Sequence, residues 1–137
     1  MGRTQAIYIT RSDYECLSKL LEEGFTDQSK DRDFAEALRG EIERARVVSP
    51  KRMRSDVVTM NSRVLLEDLA TREVFAMEVV FPNDADIDAQ KISVLAPVGT
   101  ALLGCRIGST VRWEVPGGMR ELKIRDMLYQ PEANGDF

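Results

Sequence analysis

Two stripes of apolar residues mark the first third of the chain. Tyr14, Leu17 and Leu21, with Leu20 beside them, recur at three- and four-residue steps, the spacing of one helix face. Thr10 or Ser12 can cap this helix, and Ser12-Asp13-Tyr14-Glu15 fits a capping box, in which the serine oxygen accepts an N–H three residues on. Gly24 ends it. Phe25 to Arg32 is polar and aperiodic and reads as a loop. Phe34, Leu38, Ile42 and Ala45 form the second stripe, opened by Asp33-Phe34-Ala35-Glu36 and closed at Ser49-Pro50, because the residue before a proline disfavours the helical region. Glu36 in its first turn and Arg44 and Arg46 in its last suit the helix dipole. Two helices of about 12 to 15 residues, each about 18–23 Å long, joined by a short loop, predict an antiparallel hairpin, a short coiled coil.

After Pro50 the period changes from that of helices to that of strands. Asp56 to Ser62 and Val64 to Leu69 read as strands around Asn61-Ser62, following a linker at Met53 to Ser55. Glu73 to Phe81 is a strong strand ended by Pro82. Pro82 to Gln90 is an acidic loop carrying Asp84, Asp86 and Asp88. Ile92 to Ala96 is a further strand, stopped by Pro97, which has no N–H for a ladder. Val98 to Leu103 reads as a short helix with Gly104 as its left-handed cap. Thr110 to Val115 alternates, with Val111, Trp113 and Val115 on one face. Pro116-Gly117-Gly118 is a turn, and Arg120 to Tyr129 leads back as a strand. Ala6 to Ile9 forms a short extended entry, and the polar tail from Pro131 to Phe137 is expected to be mobile. The fold class is α+β: a helical hairpin over residues 1–50 and a sheet domain with a short helix over residues 51–137.

Composition narrows the chemistry. With 43% hydrophobic residues in 137, the chain can bury a modest core. The net charge of −4 and pI of about 5.0 argue against non-specific binding to nucleic acid, which needs a basic surface. There is no apolar run of membrane-spanning length, and Met1 to Thr10 lacks the apolar core of a signal peptide. Cys16 and Cys105 fall in different structural parts, so no disulfide is expected and the cytoplasm is the expected compartment. The absence of histidine removes zinc clusters and Ser-His or Cys-His catalysis. The alternating aspartates at 84, 86 and 88 lack the glycine and glutamate of a calcium loop, so neither a metal nor another cofactor is expected.

Ala96-Pro97-Val98-Gly99-Thr100-Ala101-Leu102-Leu103-Gly104, followed by Gly108 and Val115-Pro116-Gly117-Gly118, resembles the C-terminal domain of the Gre transcript-cleavage factors. Ser49-Pro50, Asp56 to Val64 and Tyr129 to Ala133 resemble one branch of that group, the regulators of nucleoside diphosphate kinase. The likeness covers nearly the whole chain. It implies an FKBP-like antiparallel sheet domain and a single partner, RNA polymerase, met at the rim of its secondary channel. No membrane, no direct sequence-specific contact with nucleic acid and no second copy of the chain are expected as partners, so a monomer is expected. By position, the polymerase-facing residues would be Asp84, Asp86, Ile92, Ser93, Ala96, Pro97 and Val98.

In the Gre factors a long coiled coil carries acidic residues to the polymerase magnesium. Here the candidates at the hairpin tip are Asp27 and Asp31, with Glu22, Glu23 and Asp33 nearby. Lys30 and Arg32 would oppose a cation there, and a carboxylate that does not reach the metal cannot assist it. The expectation is therefore a non-enzymatic regulator that competes with Gre-type factors and does not stimulate cleavage. A cleavage factor using Asp27 or Asp31 is the alternative. FKBP likeness also raises prolyl isomerisation, with Trp113, Phe75, Phe81 and Tyr129 as the aromatics. All four lie in strands with core roles, and a shared fold does not carry an activity.

Overall fold

In the computed structural model, residues 7–22, 36, 38–115 and 117–135 are described. β1 (Tyr8–Thr10) runs directly into α1 (Arg11–Glu22). Thr10, not Ser12, caps the helix: its Oγ1 accepts the Asp13 N–H at 3.0 Å. Leu17 and Leu21 of the stripe are buried. Residues 38–43 form α2, which buries Leu38 and Ile42. Arg39 Nη2 donates to the Leu21 carbonyl at 3.4 Å, tying α2 to the end of α1. The loop between the helices, the capping box at Asp33, and Asp27 and Asp31 lie outside the described residues.

The second helix does not continue to Ser49-Pro50. It stops at residue 43, and β2 (Arg46–Val48) pairs in parallel with β1, with Tyr8 opposite Arg46 and Thr10 opposite Val48. The two β-branched residues Val47 and Val48 favour extended backbone, and the pairing satisfies β1, whose polar groups would otherwise be orphaned beside a buried Ile9.

β3 (Arg63–Asp68), β4 (Val74–Val80), β5 (Lys91–Ser93), β6 (Thr110–Val115) and β7 (Gly118–Tyr129) make one sheet in the order β5-β4-β3-β7-β6. Between β5 and β6 lies α3 (Pro97–Leu102). The resemblance implied an antiparallel sheet, but the sheet is mixed. β5 runs parallel to β4, with Glu78 opposite Lys91 and Val80 opposite Ser93. The acidic loop after β4 folds through two 3-10 turns and returns the chain beside the strand it has just left, pointing the same way.

Two further expectations are corrected. Asp56 to Ser62 is not a strand. The Ser62 N–H closes on the Thr59 carbonyl at 3.0 Å, Asn61 has a φ of 66°, and only Val57 bridges to Arg106. Val57 to Met60 are nonetheless fully buried, so the segment reads as a short buried run with β-branched residues, like a strand, without being one. The tail is also fastened as far as it is described. Glu132 Oε1 accepts the Thr59 hydroxyl at 2.7 Å, and Gln130 Nε2 donates to the carbonyls of Arg54 and Val57 at 2.8 and 2.7 Å.

One hydrophobic cluster runs through the molecule. Ile7, Ile9, Leu17, Leu21, Leu38 and Ile42 from the N-terminal segment join Met60, Leu66, Val94, Leu102, Leu122 and Ile124. The opposite sheet face is polar, with ion pairs such as Arg125–Glu67 at 2.7 Å and Arg112–Glu121 at 3.1 Å across neighbouring strands.

Candidate docking groove

The core-facing side of the sheet is not completely covered. β4 places Phe75 and Met77 on that face, and β7 places Arg120 and Leu122 there, because residues two apart on a strand share a face. Ile92 of β5 and Ala96 and Val98 at the start of α3 rise as a wall. Together these seven residues line an open, mostly apolar groove of about 410 Å³.

The wall is held by a tight turn. The Ser93 hydroxyl accepts the Leu95 N–H at 3.0 Å, and the Val94 N–H bonds to the Val80 carbonyl at 2.8 Å. The Thr100 hydroxyl donates to the Val94 carbonyl. Gly99 is required here, since a Cβ would run into the Ser93 carbonyl oxygen. Pro97 occupies the first position of α3, where a helix needs no N–H.

Arg120 closes the β7 side. Its Nη2 donates to Asp68 Oδ2 at 2.7 Å, while Asp68 Oδ1 accepts the N–H groups of Ala70 and Thr71 at 2.9 and 3.2 Å. The Arg120 bond, then these two backbone bonds, hold the Asp68 carboxyl below the usual carboxylate range. An otherwise mobile guanidinium is thereby fixed at the groove's edge.

Beyond β5 stands the acidic loop. Asp84, Asp86 and Asp88 are exposed. Asp86 Oδ1 accepts the Asp88 N–H at 3.1 Å, so part of its role is local capping. Asp86 and Lys91 exchange two backbone hydrogen bonds of 2.9 Å, anchoring the loop one residue from Ile92.

Of the seven residues expected to face a partner, Ile92, Ala96 and Val98 meet in the groove, Ser93 and Pro97 belong to the turn that builds its wall, and Asp84 and Asp86 stand on the adjoining loop. Sequence reasoning missed Phe75, Met77, Arg120 and Leu122, which β3 separates into two groups in the sheet order. Among Phe75, Phe81 and Tyr129, only Phe75 lines the groove, so these aromatics do not converge as an isomerase pocket would need. Among the described residues, no three carboxylate or cysteine side chains gather as a metal site, and no helix is long and apolar enough to cross a membrane.

Comparison with known proteins matches this architecture. The family described as transcription elongation factor, GreA/GreB, C-term, matches residues 53–129, and the one described as Rnk N-terminus matches residues 5–48. A prokaryotic GreA/GreB transcription elongation factor structure from Nitrosomonas europaea superposes with a TM-score of 0.76 at 37% identity, over 92% of this chain and 100% of that one. GreA of Pelobacter propionicus is 38% identical over 93 residues, 68% of this chain and 59% of its own length. The fold over residues 53–129 is thus of the GreA/GreB class. The regulator of nucleoside diphosphate kinase of Escherichia coli K12 is 46% identical over 105 residues, 76% of this chain and 77% of that protein. The chain belongs to the Rnk family, the regulators of nucleoside diphosphate kinase within the GreA/GreB group.

Proposed function

We propose that this chain is a transcription regulator that binds RNA polymerase at the rim of the secondary channel. Its base is an FKBP-like domain over residues 51–137 and its arm a short antiparallel helical hairpin over residues 1–50. The observation that carries this reading is the meeting of Ile92, Ala96 and Val98 in one open apolar groove beside an exposed acidic loop. An apolar seat with an acidic lip suits a basic, partly apolar surface, which gains on-rate and register from the charges. The names of its relatives, transcription elongation factors, support the same partner.

The arm sets the activity. The two helices expected from the sequence, of about 12 to 15 residues each, would reach about 18–23 Å at 1.5 Å per residue. A hairpin of that reach occupies the channel mouth without bringing Asp27 or Asp31 to the catalytic magnesium. The protein then competes with longer-armed Gre-type factors and does not stimulate RNA cleavage. It acts as a cytoplasmic monomer, with no cofactor and no catalysis of its own.

Two assays on one preparation test this. Core polymerase is expected to retain the protein at low salt, and a GreA-type factor to displace it. Stalled elongation complexes are expected to show no added cleavage. Loss of retention sinks the reading. Cleavage that disappears in Asp27→Ala or Asp31→Ala would replace it with a cleavage factor.

A further inference from the structure

The most exposed large hydrophobic side chain among the described residues is not in the groove. Ile87 is 85% exposed, against 53% for Val74, the next highest. Scattered exposed apolar residues are ordinary. Ile87 differs because a built frame holds it out. The Asp86 carboxylate caps the turn through the Asp88 N–H at 3.1 Å, and the Gln90 N–H closes on the Ile87 carbonyl at 3.0 Å. Gln90 adopts a φ of 60°, a left-handed conformation that few non-glycine residues take. The pair of backbone bonds between Asp86 and Lys91 locks the base. The frame returns the chain to β5, yet it gains no burial for the isoleucine it holds out.

The frame also has a defined position. It ends at Lys91, beside the groove-lining Ile92, and Asp84 and Asp88 are exposed on the same loop, three residues before and one after the isoleucine. A β-branched side chain on a fixed turn has little rotamer freedom left to lose on binding. We infer that Ile87 is an apolar anchor that enters a socket on RNA polymerase ringed by lysine or arginine, with Asp84 and Asp88 pairing with that ring. The inference rests on the docking reading above and adds a second contact, outside the groove.

The test measures binding of the full chain to core polymerase at low and high salt, for wild type and four variants. Ile87→Ala is expected to weaken binding about tenfold at both salt concentrations, because the lost contact is apolar. Asp84→Asn and Asp88→Asn are expected to weaken it mainly at low salt, where charge pairing is unscreened. Met77→Lys, in the groove, is the comparison. If Met77→Lys abolishes binding while Ile87→Ala stays within twofold of wild type, the anchor is overturned and the groove dock stands. If wild type itself is not retained, both fall. Matching circular dichroism spectra for Ile87→Ala and wild type exclude misfolding as the cause of a loss.

Discussion

At the scale of single residues, Asp13 is the most perturbed titratable group among the described residues. Its carboxyl is pushed up to about 6, chiefly by burial and further by Glu132, against the opposing bonds from the Met60 N–H and Thr10. The Met60 bond, at 3.1 Å, pins the start of α1 to the turn that precedes β3. Because the folded value lies above the unfolded one, the folded state binds the proton more tightly. Protonation therefore stabilises the fold, and this contribution is lost as pH rises through about 6. Lowering pH from 7 to 5 is expected to add about 1 kcal/mol, or about 3–5 °C in melting temperature. The lowered carboxyls of Asp56, Glu67 and Asp68 oppose this only at more acid pH, where their unfolded counterparts begin to take up protons. Thermal melts of wild type and Asp13→Asn check it: the rise is expected in the former and absent in the latter. A wild-type melting temperature that falls over this range would contradict the assignment. The contact was not legible in the sequence, because 47 residues separate Asp13 from Met60 and nothing local marks either as a partner.

At the scale of elements, two glycines make opposite predictions. A Cβ on Gly99 would strike the Ser93 carbonyl oxygen, so Gly99→Ala must shift α3 or open the turn that seats it. A cost of about 2 kcal/mol is expected, with weaker polymerase binding because Ala96 and Val98 move together. Gly40 lies within α2 with nothing within 4 Å of its would-be Cβ. Gly40→Ala is expected to stabilise by about 0.5–1 kcal/mol, since alanine loses less backbone freedom in a helix. Urea midpoints for the two variants are expected to move in opposite directions. Long periodic elements were readable for the same local reasons: α1, α3, β6 and β7 follow from stripes, glycines and alternation. β2 was not, because Ala45 extends the helical stripe towards it and its partner β1 lies 38 residues earlier, at Tyr8 opposite Arg46. Asp56 to Ser62 misled because a short, wholly buried run with β-branched residues looks the same in sequence whether it is a strand or a buried turn. The parallel pairing of β5 likewise depends on how the acidic loop folds, which periodicity does not encode.

At the scale of the whole molecule, the arm and the base share one core although they match two family descriptions. Leu17 of α1 is fully buried in the same cluster as Leu66 of β3 and Ile124 of β7. The direction of α1 is then set by packing and by the Asp13 bond, and the Met53 to Ser55 segment need not act as a hinge. Under the proposed competition, an α1 held by the shared core would need no ordering when the base docks. Leu17→Ala tests this coupling. Removing the leucine is expected to cost about 3 kcal/mol through lost burial and the cavity left behind. If the core is continuous, helical circular dichroism and the fluorescence of Trp113 on β6 report a single transition, and both midpoints fall together in the variant. If the helical signal alone moves to lower urea while the Trp113 signal stays, arm and base fold separately. The base could then dock with the arm disordered, and competition at the channel mouth would have to come from the groove alone.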